Sequence, residues 1–203
     1  VMSKFVPVLK NAAFISAAAI TFAMGISVSA SSTADLSYPP QTVKIMAYGG
    51  ERDLNITGYG EGAALNTWTL NGSQNENWRI DYVSSGVYKI VNLAADKLLS
   101  VSGNNASSNA ECILMKDNGS DAQKWRIEGV EKDFLGNYLY YKIVNYANPS
   151  LALSWNTTTN EITLKNYTGA NNQKWKRNCE GLTGFAGNCI VDEGEKAGTI
   201  GGL

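Results

Sequence analysis

Asn77-Trp78-Arg79, Gln123-Lys124-Trp125-Arg126 and Gln173-Lys174-Trp175-Lys176 are three copies of one short pattern, and each closes a stretch of similar build. The stretches open on Val43-Lys44-Ile45-Met46, Tyr88-Lys89-Ile90-Val91 and Tyr141-Lys142-Ile143-Val144. Aligned without gaps, the openings are expected to bring Leu54, Leu99 and Leu153 into one column, and Asn55, Ser100 and Ser154 into the next. A unit recurring this regularly fixes the architecture before local propensity is consulted, because one unit cannot bury its apolar face alone. It also directs function to as many as three related surface sites and away from a single deep pocket.

Outward from the tryptophans, the units run over about 43–83, 86–130 and 138–178. Tyr88 and Ile90, like Tyr141 and Ile143, alternate with the period of a half-buried strand. Gly58, Gly60 and Gly62 interrupt the first unit, Gly103-Asn104-Asn105 the second and Thr157-Thr158-Thr159-Asn160 the third. Further strands are expected at 65–70, 112–116 and 162–166, each followed by an Asn/Gly-rich loop and the tryptophan strand. No long amphipathic pattern suggests a helix. Short strands punctuated by turn residues predict an all-β fold, and three homologous units narrow it to a threefold barrel.

The flanks differ in composition. Residues 1–30 carry Lys4 and Lys10, then the apolar run Ala12 to Val28, then Val28-Ser29-Ala30. This is the order of a secretory signal peptide, so the protein is expected to be secreted and extracellular, with no membrane attachment once the peptide is removed. Residues 31–41, with Pro39-Pro40, read as an exposed leader. Without residues 1–30 the chain has 15 basic and 18 acidic residues, a net charge of −3, and no basic cluster. Nucleic acid is therefore a poor partner. The chain has no histidine, which excludes Ser-His-Asp chemistry and His-ligated zinc. Of the three cysteines, Cys179 and Cys189 could close a short loop or pair with residues elsewhere, and Cys112 sits in an apolar strand as a small buried hydrophobe. Asn71-Gly72-Ser73, Asn105-Ala106-Ser107, Asn118-Gly119-Ser120, Asn156-Thr157-Thr158 and Asn166-Tyr167-Thr168 match a glycosylation pattern but read as turn composition.

Gln123-Lys124-Trp125, Gln173-Lys174-Trp175 and the variant Glu76-Asn77-Trp78, each at the same place in a repeating unit, resemble ricin-B-type lectin repeats, also called QxW repeats, which form β-trefoils. The resemblance covers roughly residues 42–178. It implies that Trp78, Trp125 and Trp175 line the core and that Gln123 and Gln173 hydrogen-bond turn backbone. It places sugar binding elsewhere: on a polar residue, often Asp, after the conserved leucine, on an aromatic of the next strand, and on an Asn just before the motif. An aromatic stacked on the C–H face of a pyranose, with a few oriented polar groups, makes a minimal site.

Carried over by position, the first unit offers Asn55, Asn66, Trp68 and Asn75. Trp68, ten residues before Trp78, is the stacking candidate, against the alternative of plain surface or core packing. Asn55 reads equally as a turn residue. The second unit offers Ser100 and Met115, with Ala122 where an Asn is wanted, and is expected to be inactive. The third offers Ser154, Tyr167 and Asn172, with Lys165 in the slot of Trp68. Trp155 shares a column with Ile56 and Val101 and is expected in the core. The family's Asp is Asn, Ser and Ser here, and each change removes a charged acceptor.

The tail Gly181-Leu182-Thr183-Gly184-Phe185-Ala186-Gly187, with Gly198-Thr199-Ile200-Gly201-Gly202, resembles the opening of secreted pectate lyases. The alternative is a glycine-rich linker, 179–203, of no family. The resemblance implies a polysaccharide-targeting module joined to a lyase domain. Calcium would belong to that further domain, and no cofactor is expected in this chain. The expected function is thus binding of a poly- or oligosaccharide by a monomer with no catalytic residue of its own. A structural or protein-binding trefoil with decayed sugar sites is the alternative.

Overall fold

A computed structural model describes residues 42–179, and the proposed signal peptide, leader, Cys179–Cys189 pairing and lyase-like tail lie outside the described residues. Twelve strands follow one another: β1 Val43–Ala47, β2 Arg52–Ile56, β3 Leu65–Thr69, β4 Trp78–Ser84, β5 Val87–Asn92, β6 Lys97–Val101, β7 Cys112–Met115, β8 Trp125–Lys132, β9 Tyr138–Asn145, β10 Leu151–Trp155, β11 Ile162–Asn166 and β12 Trp175–Cys179. Six of them close a ring by antiparallel pairing, β1 with β4, β4 with β5, β5 with β8, β8 with β9, β9 with β12 and β12 with β1. Closure leaves the barrel no open edge. The other six form the hairpins β2–β3, β6–β7 and β10–β11. Bridges Ala64↔Ile113, Glu111↔Thr163 and Asn66↔Glu161 join these hairpins in a triangle.

Strand alternation decides which side chains fill the interior. Leu54 and Ile56, Leu99 and Val101, and Leu151 and Leu153 enter a core that also holds Ile45, Ile90 and Ile143. Trp78, Trp125 and Trp175 are all 0% exposed. Their indole N–H groups donate to Leu54 O (2.9 Å), Leu99 O (3.0 Å) and Leu153 O (3.0 Å). Each bond satisfies a donor that would otherwise be buried at a cost, and each fastens a tryptophan strand to the hairpin of its own repeat. Cys112 is a buried free thiol within this core, and burial pushes its pKa up. Trp155 is partly buried against it.

The same three-residue 3-10 turn precedes each tryptophan: Gln74–Glu76, Asp121–Gln123 and Asn171–Gln173. Four residues before each motif position stands a glycine, Gly72, Gly119 and Gly169, at φ of 72°, 76° and 78°. That left-handed conformation is unstrained only without a Cβ. Three of the asparagines of the glycosylation-like patterns accept a backbone N–H two residues on, Asn71 from Ser73 N, Asn118 from Ser120 N and Asn156 from Thr158 N. They are Asx turns.

The ungapped alignment fails in the third repeat. Eleven residues separate Val43 from Leu54 and Tyr88 from Leu99, but twelve separate Tyr141 from Leu153. The additional residue lies between β9 and β10, where five residues (146–150) stand against four (93–96) in the second repeat. The turn absorbs it, so the leucine column is kept.

Candidate carbohydrate-binding cleft

The outer face of the β2–β3 hairpin carries what the inner face excludes. Asn55 pairs in register with Asn66, and Asp53 with Trp68. Asn55 Nδ2 donates to Asn66 Oδ1 at 3.0 Å, which fixes both amides. Trp68 stands out from the strand at 51% exposure, whereas the motif tryptophans are fully enclosed. Asn75 arrives from the 3-10 turn below. Its N–H reaches Ser73 Oγ (3.3 Å), its carbonyl accepts from Asn92 Nδ2 (2.9 Å), and its Oδ1 accepts from the Tyr59 hydroxyl (2.6 Å).

Asn55, Thr57, Asn66, Trp68, Asn71, Ser73 and Asn75 line one cleft of about 270 Å³. All four first-unit residues expected from the sequence are therefore brought together. Among the described residues, Asn55 Oδ1, Asn66 Nδ2 and Asn75 Nδ2 make no hydrogen bond within the protein. They leave one acceptor and two donors beside an exposed indole. No ionised side chain lines the cleft, so recognition there rests on neutral hydrogen bonds and stacking. Thr57, Asn71, Ser73 and the supporting Tyr59 were not anticipated. The aromatic held between Gly58 and Gly60 was the available signal for Tyr59.

The third unit is built differently, and the expectation for Ser154 needs correction. Ser154 is 1% exposed; its hydroxyl donates to Ala152 O (3.1 Å) and accepts from Gln173 Nε2 (2.9 Å). It presents nothing to a ligand. The Tyr167 ring has Lys142 Nζ over it, 4.9 Å from the centroid, so a cation holds a stacking face. Asn172 Nδ2 donates to Trp155 O at 2.9 Å. Lys165, in the slot of Trp68, reaches Asn109 Oδ1 at 2.6 Å. In the second unit Ser100 is 0% exposed and bonded to Gln123 Nε2 at 3.0 Å, Met115 holds the aromatic's place, and Ala122 replaces the asparagine.

Gln123 and Gln173 act on turn backbone as expected. Gln123 Nε2 donates to Lys116 O (2.8 Å) and its Oε1 accepts from Asn118 N (2.8 Å). Gln173 does the same with Asn166 O (2.9 Å) and Thr168 N (2.8 Å).

The model of a family described as "Ricin-type beta-trefoil lectin domain-like" matches residues 32–115 and 74–167, which together span more than half of the chain. The chain belongs to this family. Solved structures share its fold. The designed threefold symmetric protein ThreeFoil is 25% identical, with a TM-score of 0.61, over 67% of this chain and 96% of that one. An exo-β-1,3-galactanase from Clostridium thermocellum, 1,3Gal43A, is 23% identical with a TM-score of 0.62, over 70% of this chain and 31% of the enzyme. Polyporus squamosus lectin, solved with the epitope Neu5Acα2-6Galβ1-4GlcNAc, is 19% identical with a TM-score of 0.58, over 70% of this chain and 50% of the lectin. At those last two identities the likeness shows the fold alone. No curated protein matches the chain significantly.

Proposed function

We propose that the chain is a carbohydrate-binding module that works through its first repeat. The observation that carries this reading is a cleft in which Asn55, Asn66 and Asn75 surround an exposed Trp68. A sugar ring stacks its C–H face on the indole while ring hydroxyls bridge the free amide groups. Membership of the lectin-like family supports the ligand class. The contacts are few and exposed to water, so affinity is weak, and retention on a polymer gains from a second tethered domain.

The exported setting completes the proposal: a signal peptide at 1–30, residues 42–178 as the binding domain, and after it a polysaccharide-degrading, pectate lyase-like domain that uses this module for targeting. The signal-like composition of residues 1–30 and the Gly-Phe-Ala and Gly-Gly runs of the tail support that finer reading. Any calcium or catalytic residue belongs to that other domain.

Trp68→Ala tests the site. In affinity gels carrying polygalacturonate or arabinogalactan, the wild-type chain should be retarded and the variant should migrate freely, with unchanged thermal stability. Equal retardation of the two removes the site. A second reading, a trefoil that binds protein after decay of its sugar sites, is favoured by the closed Ser100 and Ser154 positions. It predicts that wild type is not retarded by any polysaccharide.

A further inference from the structure

The first repeat has Glu76 where the others have Gln123 and Gln173. Each glutamine makes the same three connections. Its Nε2 donates to the serine after the conserved leucine and to the carbonyl seven positions upstream, and its Oε1 accepts the N–H five positions upstream. Counted back from Glu76, these partners are Asn55, Thr69 O and Asn71 N. A carboxylate has no N–H to give the first two. Glu76, 0% exposed, instead faces Lys44 of β1 across 3.4 Å in an ion pair inside the protein. The equivalent lysines of the other repeats, Lys89 and Lys142, turn outward to Asp117 and Glu128.

The consequence appears at the residues released. Asn55 and Asn71, which a motif glutamine would engage, both line the cleft. Ser100 and Ser154, which glutamines do engage, are enclosed. We propose that Glu76, held by Lys44, is a positioning residue: it keeps the first repeat's cleft open by leaving Asn55 and Asn71 to the ligand. This rests on the lectin reading given above, and it adds that a departure from the motif is what makes one repeat competent.

The test restores the motif in the full chain by Glu76→Gln, alone and combined with Lys44→Met. The double variant removes the ammonium that would otherwise stay buried opposite a neutral amide. In the single variant Lys44 Nζ keeps the Ser73 carbonyl at 3.3 Å, so a folded protein is expected from at least one. Two readouts are taken. One is retardation in polygalacturonate and arabinogalactan gels; the other is the Asn55 side-chain amide signals by NMR. The expected result is an affinity about tenfold lower in either gel, equivalent to one lost hydrogen bond, together with displaced Asn55 signals and an undiminished melting temperature in the double variant. Wild-type retardation in a variant whose Asn55 signals do not move overturns the proposal. Should the wild-type chain itself not be retarded, the lectin reading fails, and the Asn55 signals alone decide whether Glu76 governs that side chain.

Discussion

The outer faces of the first and third repeats are made by equivalent hairpins, β2–β3 and β10–β11, with opposite results. At one, Trp68 projects at 51% exposure and Asn75 is braced by Tyr59. At the other, Lys165 reaches Asn109, Lys142 covers Tyr167 and Asn172 bonds the Trp155 carbonyl. The inner faces barely differ: tryptophan, leucine carbonyl and 3-10 turn recur in each. The contrast teaches that the shared core dictates the backbone, while the outward column can drift toward a cleft or toward self-contained contacts without disturbing the fold.

The largest test of that contrast lies in the core. Trp78→Ala and Trp175→Ala should each cost about 3–5 kcal/mol, measured by urea denaturation. A much smaller loss in one repeat would mean the interior is not equally shared. Next comes the motif position. Glu76→Ala removes the carboxylate facing the Lys44 ammonium and should cost about 3 kcal/mol, because it breaks an ion pair inside the protein. Gln173→Ala should cost about 2 kcal/mol by leaving Ser154 and the turn without their neutral partner. Reversal of that order would say the ion pair is dispensable.

A smaller effect of opposite sign is expected at Thr67, where the second and third repeats have Leu114 and Leu164 in the core. Among the described residues Thr67 Oγ1 is buried without a hydrogen-bond partner, so Thr67→Val should raise stability by about 1 kcal/mol. The smallest effect concerns the β8–β9 turn. The Asn137 side chain, with backbone N–H groups of Asn137, Leu135 and Gly136, holds the Asp133 carboxyl below its ordinary value. A depressed carboxyl supports the turn fully above its unfolded pKa and loses that support as pH falls through the folded one. Amide exchange at Leu135 and Asn137 should therefore stay slow at neutral pH and quicken only in strong acid. In the first repeat, which lacks this loop, no parallel change is expected.

Most of the architecture was legible because it rests on repetition. Three tryptophans at matched places cannot share an interior unless their units are related by symmetry, and strand alternation then assigns inside and outside. Asn55, Asn66, Trp68 and Asn75 were readable for the same reason, each being fixed by its distance from the motif. The third unit was only partly legible because its contacts depend on groups far away in sequence. Lys142 meets Tyr167 from a barrel strand, and Ser154 meets Gln173 across the turn. Glu76 read as a blemish in the pattern because Lys44, 32 positions away, gives no local sign of turning inward. The additional residue before β10 was hidden by a leucine column that survives it.

The ring of strands has a consequence for how the molecule comes into being. Val43 lies opposite Cys179, so the first barrel strand is sealed by the last. Until β12 has left the ribosome, β1 has one long flank without its neighbour, and the ring of strands stays open between β9 and β1. Completion is thus a single late event that joins segments most distant in sequence, the kind of contact that slows folding. A stall or truncation ahead of Trp175 should leave an open sheet with the edge of β1 ready to pair with another chain.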